Sequence, residues 1–348
     1  LDPTLIDFLL IYTSLSGQYA TPMMSSPPLL QVTQLTVDFG PKKSPIRVVN
    51  DVSFSVAQGE VVGLVGESGS GKSVTCLSVM TLLSGARIAG SIQLKGRELL
   101  GAPPATHRSL LGKEMGMIFQ SPQASFNPVY TIGTHFIETI QHHHGVSAAT
   151  AQSMAIDLLH QVNIPDADRR LHDYPHQFSL GMCQRLMIAL TISMSPSLLI
   201  ADEPTASLDV TIQAQVMALL QRVKTTHQMG ILLVSHDLGL VAQHCDRVMV
   251  MYLGELVESG PTLDVFKSPQ HPYTQALLAA IPNPDPSQRA SITPITGDIP
   301  SPQHRPSGCA FHPRCPQRTD HCIHHHPTHP THRPHQVACF ESSYYHPS

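Results

Sequence analysis

Polar and apolar residues alternate from Leu29 to Val56, as QVTQLTVDF and then VVNDVSFSV, and predict two antiparallel strands joined by a loop over Gly40 to Pro45. A second strand pair is expected around Gly90 to Leu94, before Gly96. Elsewhere the apolar runs do not alternate. EVVGLV (Glu60 to Val65) and MGMIF (Met115 to Phe119) have strand length, and SLLIA (Ser197 to Ala201) and GILLV (Gly230 to Val234) read as strands buried on both faces of a parallel sheet. Arg247 to Val257 reads as two short strands turning at Gly254. Helices are expected over Ser73 to Leu83, Thr134 to His143, Ala148 to Asn163 (closed by Pro165) and Val210 to Thr225. SPQASFNPVYTIG, which follows Gln120, is turn-rich. Strands alternating with helices predict an α/β sheet with a helical insertion. After Lys267 proline and histidine dominate, and HPYTQALLAAIP is the last expected helix.

A chain of 348 residues can bury a large core, and its length suggests about two or three domains. Only 13% of residues are charged and the formal net charge is −4, which disfavours a nucleic-acid surface. No run approaches the ~18 consecutive apolar residues of a membrane span. Leu5 to Tyr12 comes nearest, but it is short, carries Asp7 and lacks the basic flank of a signal peptide. Residues 1–28 are expected to be a leader, disordered or not native; because Met23-Met24 stands just before domain-like sequence, residues 1–22 are expected to lie outside the natural reading frame or to be disordered.

The chemistry begins at Gly66. Gly66, Glu67, Ser68, Gly69, Ser70, Gly71, Lys72 and Ser73 fit G-x-x-x-x-G-K-[ST], the phosphate-binding P-loop, between an expected strand and an expected helix. Its glycines let consecutive N–H groups face phosphate oxygens at a helix N-terminus. Lys72 is then expected at the outer phosphates of ATP and Ser73 on Mg²⁺. The plain alternative is a Gly/Ser-rich turn without a ligand. A partner carboxylate for the metal belongs at the end of a buried strand, where Asp202 lies. Glu203, next to it, is placed to accept a proton from attacking water. Two acids capping a strand are the structural alternative. His236 follows GILLVS and is expected near the γ-phosphate, although a lone histidine after a strand is ordinarily structural.

In this order the motifs resemble those of ABC transporter nucleotide-binding subunits. Gly66 to Ser73 matches Walker A, Gln120 in IFQSP the Q-loop, and FSLGM with Ser179, Gly181 and Met182 the signature. Leu198 to Asp202 with Glu203 matches Walker B, Ser207-Leu208-Asp209 the D-loop, and His236 the switch histidine. VGESGSGKS, FQSPQASFNP, YPHQFSLGMCQR, ADEPTASLDV, QHPYTQALLAAIP and GCAFHPRCPQRTDHC are similar to the oligopeptide/dipeptide importer branch. The resemblance implies a RecA-like P-loop NTPase core with an antiparallel β subdomain, a helical insertion and a small Cys-rich C-terminal extension. The domains expected are a nucleotide-binding domain over 29–268, with a helical subdomain at about 126–186, and an extension over 269–348.

It further implies two ATP molecules sandwiched between this chain and an identical or paralogous ATPase subunit, each on one Walker A and the other subunit's signature. Two transmembrane permease subunits and, indirectly, an extracytoplasmic peptide-binding protein complete the assembly, which is peripheral on the cytoplasmic face of a bacterial inner membrane. Mg²⁺ falls to Ser73, Gln120 and Asp202, general-base work to Glu203, γ-phosphate sensing to His236 and transmission to Gln120–Thr131. Phe39 is the candidate for stacking on adenine, or else a core phenylalanine of its strand. Two rival readings are a soluble ABC ATPase acting on nucleic acid or ribosomes and a catalytically weak regulatory subunit. Nickel or another small solute is the alternative cargo.

The usual Ser-Gly-Gly of the signature has Leu180 in place of its first glycine, and Cys183 stands where this branch carries arginine. Leucine adds bulk and resists positive φ, so the site to which this signature is lent is expected to be weak unless Leu180 points away. The tail carries Cys309, Cys315 and Cys322 in C-x5-C-x6-C spacing and Cys339 after sixteen more residues. Four thiols in a tail expected to lack its own core suit a crosslinking metal centre. The resemblance suggests a [4Fe–4S] cluster; zinc, helped by His312 and His321, and unliganded thiols are the alternatives.

Overall fold

The computed structural model describes residues 27–206, 208–281, 295, 297–328 and 334–343. Nearly all of the expected leader therefore lies outside the described residues. In chain order the strands are β1 (Leu30–Phe39), β2 (Ile46–Val56), β3 (Val61–Val65), β4 (Arg87–Leu94), β5 (Arg97–Glu98) and β6 (Met115–Ile118). They continue with β7 (Leu198–Asp202), β8 (Gly230–Val234), β9 (Arg247–Tyr252), β10 (Glu255–Pro261) and β11 (Gln336–Val337). The chain divides into two compact units. The first takes its residues from Leu1–Val56, Val61–Leu100 and Leu233–Ser348, the second from Ala57–Glu60 and Gly101–Leu232. Strand β8 carries the chain from the second unit into the first.

In the first unit β2, β1, β4 and β5 form an antiparallel sheet in that order. Its alternating side chains bury Val32, Leu35, Val37, Val49 and Val52, as the sequence pattern requires. The expected loop over 40–45 is the one observed, with Phe39 facing Ile46 across it. A second set of strands runs β11-β10-β9-β3. Here β3 and β9 are parallel, and every residue of β3 is buried. Gly63 in β3 leaves room for a helix, since a Cβ there would stand 2.8 Å from Val241 Cγ1.

The helix after the P-loop is Lys72–Val79, shorter than expected. Its apolar pattern continues into TLL, but Thr81 takes φ 55° and the Leu82 N–H turns back to the Leu77 carbonyl, which ends the helix. From its sequence the tail is expected to lack a core of its own. Although proline-rich, it buries Ala310, Phe311, Cys322, Val337, Ala338 and Cys339. Strand β11 pairs with β10, and Phe311 packs on Tyr252 and Tyr273 with ring centres 5.2 and 5.3 Å apart. The tail thus builds its core against the rest of the first unit.

In the second unit β6 and β7 pair in parallel, all their residues buried. Four longer helices accompany them: Ile132–His144, Ala148–Gln161, Leu180–Ile192 and Val210–His227. Thr131, Ser147, Ser179 and Asp209 cap them, each side chain accepting a backbone N–H three residues on. The Leu180 helix is apolar on most sides and buries Leu186, Met187, Ile188 and Ala189.

Candidate nucleotide site

The P-loop joins β3 to helix Lys72–Val79, as its pattern predicts. Gly66, Gly69 and Gly71 all have positive φ, at 151°, 80° and 104°, and Gly71 is the N-cap of the helix. A Cβ on Gly66 would collide with the Met251 carbonyl oxygen, so only glycine fits there. Lys72 is buried, and its ammonium donates to the carbonyls of Gly66 at 2.8 Å and Glu67 at 2.9 Å. The cation therefore sits inside the loop it serves, next to the helix N-terminus where anions are favoured. Phe39 is half-buried at the end of β1, and His236 is exposed just after β8.

Within the second unit, Asp202 ends β7 and is buried, and Glu203 follows at φ 49°. Gln120, two residues beyond β6, donates from Nε2 to Glu203 Oε2 at 2.8 Å. The pairing of β6 with β7 brings these two side chains together, which the sequence pattern alone did not connect. Ser179 caps its helix through Met182 N–H at 3.3 Å, and Asp209 caps the next through Ile212 N–H at 3.0 Å. Ser207 lies outside the described residues. The strain expected at Leu180 is absent: it is the first residue of its helix and needs no positive φ. Its bulk remains, and Cys183 is the second departure. Gly181 is held by packing, because a Cβ would stand 2.7 Å from Ile212 Cγ2. Cys183 is buried with its thiol toward the Pro175 carbonyl at 3.5 Å, and burial pushes that thiol's pKa up.

The four tail cysteines line one small cavity, together with Phe311 and Phe340. Burial pushes Cys309 up to about 12 and Cys339 up to about 11, and raises Cys315. Yet among the described residues no three His, Cys, Asp or Glu side chains form a group that could hold a metal ion. The expected zinc or iron–sulfur centre is therefore not supported by the arrangement of its donors. A zinc ion needs all its ligands within about 2.3 Å of one point.

Two residues that motif reading did not single out touch the P-loop itself. Arg314 donates to both carboxylate oxygens of Glu67, and Tyr273 Oη accepts from the Glu67 N–H at 2.9 Å. Both lie in tail segments similar to the importer branch, QHPYTQALLAAIP and GCAFHPRCPQRTDHC, but nothing local tells that they reach the P-loop.

Comparison with known proteins matches this architecture. Residues 49–206 match the ABC transporter family, and residues 257–322 match the oligopeptide/dipeptide transporter C-terminal region. The chain is 47% identical over 296 residues to the dipeptide transport ATP-binding protein DppD of Escherichia coli, covering 84% of this chain and 90% of that protein. It is 44% identical over 316 residues to the oligopeptide transport ATP-binding protein AppD of Bacillus subtilis, covering 90% and 96%. Among solved structures, the dimeric post-hydrolysis ATP-binding cassette MJ0796 shares the fold with a TM-score of 0.60 at 21% identity, covering 67% of this chain and 98% of that one. The cradle on β3, the capped signature helix and these matches lead to one assignment: the chain belongs to the ABC transporter ATP-binding subunits of the oligopeptide/dipeptide importer family.

Proposed function

We propose that this chain is the ATP-hydrolysing subunit that powers import of di- and oligopeptides through an ABC transporter. The observation that carries the ATPase reading is the glycine-wound loop Gly66–Ser73, which places a buried Lys72 at a helix N-terminus. The cargo rests on the dipeptide and oligopeptide systems to which the relatives belong.

In this reading ATP supplies the phosphoanhydride whose cleavage drives the cycle, with Mg²⁺ assigned to Ser73, Gln120 and Asp202. Loop amides and Lys72 receive phosphate oxygens. Glu203 takes the proton of the attacking water, and the Gln120 amide orients that carboxylate. His236 senses the γ-phosphate, Phe39 stacks on the base, and Ser179, Gly181 and Met182 serve the ATP of a second ATPase subunit. Asp209 fixes the start of its helix beside the signature series. Val129 and Tyr130, 70% and 49% exposed, sit in the turn assigned to permease subunits. The reading places the chain on permease partners at the cytoplasmic face, as its likeness to transporter ATP-binding subunits suggests; among the described residues no helix is long and apolar enough to cross a membrane.

Glu203→Gln is expected to lower kcat for ATP hydrolysis by about 10²–10⁴-fold while MgATP binding persists. Unchanged turnover would remove Glu203 as the base. The solution mass of the same variant, with and without MgATP, reports whether the chain pairs with itself through the Leu180 signature or needs a paralogue.

A [4Fe–4S] cluster at Cys309, Cys315, Cys322 and Cys339 is the finer reading of the tail. The reading rests on the C-x5-C-x6-C spacing and on the tail's resemblance to peptide-importer ATPases; the four thiols border one cavity, although among the described residues they form no group that could hold a single metal ion. Its work would be structural. Iron and acid-labile sulfide are expected together in anaerobically purified chain; the absence of both excludes the cluster.

A further inference from the structure

The P-loop is braced from outside by residues remote in sequence. The guanidinium of Arg314 grips the Glu67 carboxylate with both terminal nitrogens, at 2.9 Å to Oε2 and 3.2 Å to Oε1. The Glu67 N–H donates to Tyr273 Oη at 2.9 Å, and the Gly254 N–H donates to the Ser70 carbonyl at 2.7 Å. Behind Gly66 stands the Met251 carbonyl, so the loop cannot retreat toward β9.

Arg314 is itself firmly seated. Its side chain is 5% exposed, its guanidinium carbon lies 5.8 Å from the Tyr252 ring centre, and it closes the short 3₁₀ turn His312–Arg314. Tyr252 and Tyr273 pack with ring centres 4.7 Å apart, and Phe311 wedges against both. The brace is therefore an aromatic block that presents one cation and the Tyr273 hydroxyl to Glu67.

We propose that Arg314 is a positioning residue for the nucleotide: its two-pronged grip on Glu67, backed by Tyr273, holds the P-loop in the shape that receives phosphate. This deepens the ATPase reading and rests on it. A planar fork on a carboxylate fixes orientation as well as distance. The residue it fixes also supplies one of the two carbonyls that hold Lys72, so any shift of Glu67 moves the cation meant for the outer phosphates. An unbraced loop must be ordered at the moment of binding, and that entropy is lost from affinity. Arg314 touches no reacting atom, so its effect falls on binding and not on the chemical step.

The test uses the full chain as wild type, Arg314→Met, Arg314→Lys, Glu67→Gln, Tyr273→Phe and the Arg314→Met/Glu67→Gln pair. MgATP Kd is read by equilibrium titration, and KM and kcat by phosphate release. Arg314→Met is expected to raise Kd and KM about ten-fold, the scale of one charge-assisted hydrogen-bonded pair, with kcat nearly unchanged. Arg314→Lys should recover part of the loss. Glu67→Gln should match Arg314→Met, and the double variant should be no worse than either single one. Tyr273→Phe keeps the ring and removes the oxygen, so Kd should rise in the same direction. Kd and KM equal to wild type in Arg314→Met, or full additivity in the double variant, overturns the proposal. If Arg314→Met does not fold, Glu67→Gln and Tyr273→Phe decide, and wild-type affinity in both overturns it. A wild-type chain that binds no MgATP removes the ATPase reading as well, whereas normal wild-type binding with unaffected variants removes only this proposal.

Discussion

At the scale of single residues, charge is managed by short, specific contacts. Glu203 occupies the left-handed region at φ 49°, uncommon for a residue with a side chain, and its carboxylate accepts from Gln120. Glu255, at the start of β10, is a second focus. It accepts from Asn50 Nδ2 at 2.7 Å, from His326 Nε2 at 2.8 Å and from Arg305. Burial alone would raise its pKa, but His326, Arg305 and Asn50 together hold it below the ordinary 4.5. The hydrogen bond to Glu255 raises His326 above its ordinary 6.5. The glutamate's contribution is complete above 4.5 and fades as acid takes the pH down through its lowered folded value. The histidine's contribution is complete below 6.5 and fades as pH rises through its raised folded value. The pair therefore stabilises most between these limits. His326→Gln should lower the thermal midpoint by about 1–2 °C near pH 5.5, a modest figure because His326 is half-exposed. The gap should narrow by about pH 8.5, and an equal gap at both values would refute the assignment.

At the scale of elements, the start of the signature helix is set by how closely it approaches its neighbour. Gly181→Ala would place a methyl 2.7 Å from Ile212 Cγ2, on the helix Val210–His227. Urea unfolding should show a loss of about 1–3 kcal/mol, the usual cost of overpacking. Ile212→Ala in the same chain removes the colliding carbon and should return part of that loss; no relief would mean that Gly181 is held by something else. This contact was not legible in the sequence, where Gly181 read only as a signature glycine. Strands were legible because burial on one face or both writes itself into alternation or its absence, as in β1 and β8. Helix ends were less so. The apolar pattern after Val79 continues unbroken, and a positive φ at Thr81 leaves no sequence mark.

At the scale of the whole molecule, the candidate site was legible wherever its parts were local motifs: Gly66 to Ser73, and Asp202 with Glu203. What escaped was long-range. Gln120 and Glu203 meet across 83 positions, Tyr273 reaches Glu67 across 206, and Arg314 reaches it across 247. The tail looked coreless for the same reason: Phe311 and Val337 carry no periodicity, and their burial depends on partners in β9, β10 and helix Pro272–Ala279.

The grip of Arg314 on Glu67 also sets a timetable. The P-loop leaves the ribosome early, and its brace is made 247 residues later. Because domains take shape as the chain emerges, a nascent chain passes through a long interval with its phosphate loop present and unbraced. On the proposal made for Arg314, nucleotide binding is about ten-fold weaker until the tail has been synthesised and docked, so a half-made subunit competes poorly for ATP.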